Sequence, residues 1–174
     1  MKKMLGVLFL SVVLVSCGSH SKDAGKKEAL ASELQLRVIR KLREENNLLP
    51  YGMGGGIMNK IHFLGLHFVY LKEVEMDEAR QLLMTAARTL LDEMNSDEAI
   101  RGYLKSYPCG VKGVEIAIFF RKESGHDPDL DKLKVVDLVQ GKITYKIGHE
   151  NRYDYTNVLE ESFEQAASKL GIRI

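Results

Sequence analysis

A chain of 174 residues with 25 basic and 24 acidic side chains has no charge excess with which to hold nucleic acid by bulk electrostatics, so that class of partner is set aside. Its 45% hydrophobic content, with seven Tyr, six Phe and no Trp, fits an ordinary globular core. The length left after the N-terminal segments, about 150 residues, suits one domain.

The chain opens on Lys2 and Lys3, continues through an apolar run from Met4 to Val15 broken only by Gly6 and Ser11, and reaches Ser16 before Cys17. Positive charge, apolar stretch and small residue in that order are the parts of a secretory signal over residues 1–16. A run of about a dozen apolar residues falls short of the roughly 20 that a membrane-spanning helix needs, which favours a cleaved signal over a permanent span. Leu14, Val15, Ser16 and Cys17, followed by Gly18, resemble the lipobox of bacterial lipoproteins. The resemblance implies that a diacylglyceryl group is attached to the Cys17 thiol, that a dedicated peptidase cuts before this residue, and that the new amino terminus is acylated. Burial of each acyl methylene contributes about 0.8 kcal/mol, so two or three chains hold a protein on a bilayer essentially permanently. An envelope location follows from the same resemblance. Gly18 stands where an aspartate would resemble an inner-membrane retention signal, which favours the outer membrane, facing periplasm or surface.

Cleavage after Ser16 removes Lys2 and Lys3 and no acid, leaving 23 of the 25 basic residues against 24 acidic ones. With Cys17 carrying lipid, Cys109 is the remaining thiol, so no intramolecular disulfide can form. Cysteine is among the residue types most often found inside, and the neighbouring sequence offers no activating basic cluster. Burial of Cys109 is therefore preferred to an intermolecular bond.

Residues 17–25 are small and polar after the cysteine and read as a lipidated flexible tether, leaving residues 26–174 as a single globular domain. From Lys26 to about Asn46 strong helix formers dominate, and Leu30, Leu34, Val38 and Leu42 recur every four residues, predicting one helix packed along a narrow stripe. Residues 48–58 mix apolar side chains with Pro50, Gly52, Gly54, Gly55 and Gly56, which predicts a Gly-rich loop and no regular element. Ile61 to Lys72 is apolar and aromatic on both alternating sets, as in a well-buried strand. Asp77 is the expected N-cap of a helix whose apolar face comprises Ala79, Leu82, Leu83, Ala86, Ala87, Leu90, Leu91 and Met94. Ser96 and Asp97 can cap a short second helix that stops before Pro108.

Val114 to Phe120, Leu133 to Val139 and Ile143 to Ile147 read as strands, the last two joined by a hairpin turn at Gln140 and Gly141. A final helix is expected from Asn157, with Glu160 completing a capping-box-like start and Gly171 at the left-handed position after its end. The predicted class is α+β, a mainly antiparallel sheet of about four strands with helices packed on one face.

Several residue groups invite a chemical reading. Tyr51 to Gly56 spell YGMGGG, but a phosphate loop follows a strand and opens a helix, whereas here a helix precedes and a strand follows. His62 and His67 are five apart on one strand and so point to opposite faces, away from any shared metal. Asp127, Asp129 and Asp131 alternate like the start of a calcium loop, yet Lys132 and Leu138 occupy the positions that need Gly and Glu. Cys109 has no base or orienting group beside it in the sequence. Tyr145, Tyr153 and Tyr155, with Asn151 and Arg152, gather residue types favoured at binding hot spots, although packing of one ring and exposure of another also explains them.

Ile100, Arg101, Tyr103, Leu104, Tyr107 and Pro108, ahead of the strand through Phe119 and Phe120, make the body similar to uncharacterised bacterial lipoproteins, a resemblance that implies no activity. The sequence therefore points to a membrane-anchored, non-enzymatic binding or interaction module with no cofactor, whose partner is the membrane and another envelope protein or a small ligand. A small envelope hydrolase, or another ligand-dependent enzyme whose residues meet only in the fold, is the alternative.

Overall fold

The structure, a computed structural model, describes residues 19–149 and 154–173, with side chains from residue 25 onward. Cys17 and the expected signal peptide lie outside the described residues, as do Asn151, Arg152 and Tyr153. Helix α1 spans Ser19–Asn46 and leads into strands β1 (Leu49–Ile57) and β2 (Ile61–Tyr70). Helix α2 (Met76–Ser96) and the single turn α3 (Glu98–Arg101) precede strands β3 (Val114–Phe120), β4 (Leu133–Val139), β5 (Lys142–Gly148) and β6 (Tyr155–Ser162). Helix α4 (Phe163–Lys169) closes the described chain. No helix among the described residues is long and apolar enough to cross a membrane.

The six strands form one sheet in the order β1-β2-β3-β4-β5-β6, with β2 and β3 parallel and every other pair antiparallel. Leu64, Leu66 and Phe68 of β2 lie beside Val114, Ile116 and Ile118 of β3, and Val136, Leu138, Ile143 and Tyr145 continue that buried surface across β4 and β5. α1 packs on β1 and β2, α2 on β3 and β4, and α4 on β6, so the helices cover one face. α2 buries Ala79, Leu83, Ala86, Ala87, Leu90 and Met94 as its spacing predicts, and it also buries Arg80 and Met84 because α1 and α4 flank it.

The class and the single covered face agree with the sequence, but the sheet has six strands and not about four. The two extra strands are the edges. Residues 49–57, expected to be loop, form β1: glycine carries no side chain to reveal alternation, and the backbone pairs with β2 from Leu49 to Ile57 through two bulges. Gln35 of α1 clamps that pairing, donating from Nε2 to the carbonyls of Gly54 at 2.7 Å and Gly65 at 3.0 Å.

The other correction concerns the end of the chain. Residues 155–162 pair with β5, and the last helix begins only at Phe163. Its capping box is Ser162 with Gln165, each side chain bonded to the other residue's backbone N–H, in place of the expected Asn157 and Glu160. At the far end Gly171 has φ +66°, and the Ile172 N–H reaches the Ala167 carbonyl at 2.9 Å, closing the helix as expected. Helix α1 begins at Ser19, so residues 19–25 are helical backbone and not the irregular tether expected there; propagation adds one hydrogen bond for each residue fixed. The N-cap of α2 is Glu75, without a side-chain cap bond, and Asp77 pairs instead with Arg80.

Candidate functional site: a tyrosine-walled cavity on the open sheet face

Side chains alternate across a strand, so the residues between the buried set point to the face that no described helix covers. On this face lie His67, Ala117, Phe119, Val135, Asp137, Thr144 and Lys146, with Lys146 Nζ 2.5 Å from Asp137 Oδ2. A cavity of about 290 Å³ opens at the end where β3 finishes and β4 begins, lined by Tyr51, Phe119, Phe120, Arg121, Asp127, Lys134 and Tyr155. Tyr51 comes from edge strand β1 and Tyr155 from the opposite edge strand β6. Side chains from both edges therefore reach one cavity.

Each wall has a local cause. A bulge between Pro50 and Gly52 leaves Tyr51 out of register, and its ring tilts against Phe119 at 5.3 Å between centroids. A second bulge, between Leu133 and Val135, does the same for Lys134 on β4. Lys134 crosses Gly148 at the end of β5, where any side chain would collide with its stem, and sets its ammonium 5.5 Å from the Tyr155 ring centroid. Asp127 joins the two cations: its Oδ1 accepts from Arg121 at 2.6 Å and its Oδ2 lies 2.7 Å from Lys134 Nζ. Lys134 is nearly buried, whereas Tyr51 is 64% exposed and Tyr155 40% exposed. The rings are thus the accessible part of the site and the charges its interior. Among the described lining residues two cations share one carboxylate, which leaves the cavity with a positive bias.

Of the residues singled out in the sequence, Asp127, Tyr155 and Tyr51, the first residue of the YGMGGG segment, enter this cavity. Asp129 is turned away and pairs with Lys122 at 2.6 Å. The three aspartates do not converge, and no group of three or more His, Cys, Asp or Glu side chains among the described residues could hold a metal ion. His67 is exposed on the open face over Gly52, while His62 is half-buried in a separate groove. Cys109 is half-buried, and burial pushes its thiol pKa up, away from the thiolate. The Asn95 side chain fixes its backbone at both N–H and carbonyl.

Tyr145 has the opposite fate to Tyr155. It is fully buried under the helices and donates from Oη to Glu161 Oε1 at 2.6 Å. Glu161 also accepts from Arg80 Nε at 2.7 Å and from Lys169 Nζ at 2.6 Å, and Arg80 in turn pairs with Asp77. Burial works against ionising Glu161, but the bonds from Lys169, Tyr145 and Arg80 outweigh it and hold the carboxyl below its ordinary value. For Tyr145, burial and the adjacent carboxylate both push the phenol pKa up.

In the sequence Tyr51 draws notice only as part of the glycine segment, and Phe119, Arg121 and Lys134 are not singled out as site residues. Two signals were present: an aromatic ring inside a glycine run, and a lysine breaking the apolar LKVVDLV segment. The site thus defines a ligand-accessible aromatic and charged cavity on an α+β sheet. No family model matches the chain, and neither the curated proteins nor the solved structures contain a significant match to it.

Proposed function

We propose that this protein is a lipid-anchored component of the bacterial cell envelope that acts as a binding module, with the tyrosine-walled cavity as its binding site. The observation that carries the binding role is the arrival of Tyr51 and Tyr155 from opposite sheet edges at one cavity holding Arg121, Asp127 and Lys134. Neither ring is needed to close the hydrophobic core, which is built on the other face. Exposed aromatic rings beside partly buried charges suit recognition of a flat apolar group carrying a polar substituent, on a small ligand or on an envelope protein. The anchor rests on the lipobox residues Leu14 to Cys17, and the outer membrane is its proposed location, facing periplasm or surface.

A photo-crosslinking residue placed at Tyr51 or Tyr155 in the anchored protein, with exposed Leu36 on α1 as the control position, tests the site in cells. The two cavity positions should give the same discrete adduct by mass spectrometry and Leu36 should not. Adducts independent of position would refute the cavity. Cys17→Ser should abolish incorporation of a fatty-acid analogue, and equal labelling of both forms would refute the anchor.

A further inference from the structure

A second cavity lies toward the other end of the strands. It is a groove of about 730 Å³ between the β1–β2 turn, residues 105–113 ahead of β3, and Gln140 of the β4–β5 turn. Its volume falls in the range of small-molecule sites, roughly 300–1,000 Å³. Phe63, Met58, Pro108 and Val111 supply apolar surface, and the Phe63 ring lies directly over Gly56, where any side chain would collide with it.

The charges of this groove are all of one sign. Lys105 and Lys112 line it together with His62, and no Asp or Glu does. Both lysines are exposed, and neither takes part in an ion pair among the described residues. The lysines of the sheet face behave differently: Lys134, Lys142 and Lys146 each sit within 2.7 Å of a carboxylate. The acid that feels Lys112 is Glu164 of α4, which is not part of the lining. A concave apolar surface whose cations meet no acid in the lining raises the local concentration of anions and fixes their orientation.

We propose that this groove binds an anionic amphipathic ligand, its apolar body on Phe63, Val111 and Pro108 and its anionic group held by Lys105 and Lys112. The site is separate from the tyrosine-walled cavity and does not depend on it. The same chemistry is carried by a free organic acid and by an anionic lipid, and the test has an arm for each.

Fluorescence titration of the folded protein compares 8-anilinonaphthalene-1-sulfonate with N-phenyl-1-naphthylamine, which keeps the apolar rings and lacks the sulfonate. The sulfonate should bind more tightly and weaken as salt rises, because screening acts on the charge alone. Lys105→Gln combined with Lys112→Gln should weaken the sulfonate by about tenfold or more while the neutral dye is unchanged, and Lys→Arg at both positions should restore binding. Tyr51→Ala should leave the part of sulfonate binding that Lys105→Gln with Lys112→Gln removes unchanged, which separates this groove from the other cavity. Competition by decanoate would indicate a free acid, and competition by phosphatidylglycerol vesicles but not phosphatidylcholine vesicles a lipid headgroup; either supports the proposal. Equal affinity of the two dyes, or a double Gln variant that holds the sulfonate as well as the parent protein, would overturn it.

Discussion

The cluster of Arg80, Glu161, Tyr145 and Lys169 and the cluster of Arg121, Asp127 and Lys134 are built on the same plan, a carboxylate shared by two cations beside a tyrosine. What differs is the cover. The first lies between the sheet and helices α2 and α4, with Arg80 4% and Glu161 5% exposed. The second lines a cavity that opens on the uncovered face between two accessible rings. Buried charges lose their hydration and must be satisfied by one another, so the first cluster fixes how β5, β6, α2 and α4 meet. At the second, Lys134 is nearly buried but Arg121 and Asp127 keep 20% and 31% of their side chains exposed, so solvent can replace part of a lost interaction for these two. The surroundings divide the two clusters into a structural group and one proposed for binding.

The contrast is sharpest at the carboxylates. Glu161→Ala should cost about 3–5 kcal/mol, because Arg80 would be left buried beside Tyr145 with only the solvent-exposed Asp77 as counter-charge. Urea unfolding measures this, and a loss below about 1 kcal/mol would show that the cluster is solvated after all. The same residue predicts an acid limb. Because the folded-state pKa of Glu161 is held below the ordinary 4.5, its stabilising contribution is complete above that value and is lost as pH falls through the lower folded one. In Glu161→Gln that limb should flatten, so the stability gap between the parent protein and the variant narrows with acidification.

Tyr145→Phe removes one donor to Glu161 and keeps the ring in the core, so a loss of about 1–2 kcal/mol is expected in the same unfolding experiment. At the open cluster the effect on stability should be smallest. Asp127→Asn keeps one acceptor oxygen for its neighbours and should cost about 1 kcal/mol, yet change the crosslinking pattern from Tyr51 and Tyr155 by removing the charge that holds Arg121 and Lys134. A loss as large as that of Glu161→Ala would erase the distinction between the two clusters.

Most of the covered face was legible in the sequence, because Leu64, Leu66 and Phe68, Val114 to Phe120, and the α2 stripe declare their periods through bulky apolar residues. The edges were not. β1 is hidden by glycines that have no polarity to alternate, and β6 by Val158, Leu159, Phe163 and Ala166, whose spacing also suits a helix. Pairing with β5 decides the second case, since Glu161 must reach Arg80 and Tyr145. The cavity was illegible for a related reason. Its tyrosines come from those two edges, and its lysine is placed by a bulge, a feature of strand pairing that no window of residues contains.

Because the sheet order repeats the chain order, every strand finds its neighbour already made when the polypeptide is threaded from its amino terminus. β1 and β2 can form a hairpin at once, β3 then adds across the α2 crossover, and β4, β5 and β6 follow one at a time without displacing anything. No strand has to wait for a distant segment to be delivered. The last described strand added is β6, which carries Glu161, so Arg80 of α2 has no carboxylate from that strand until residue 161 has been added. Final locking of the helical layer is thus tied to arrival of the C-terminal segment, and a chain truncated before Tyr155 should keep its early hairpin while leaving α2 unsecured.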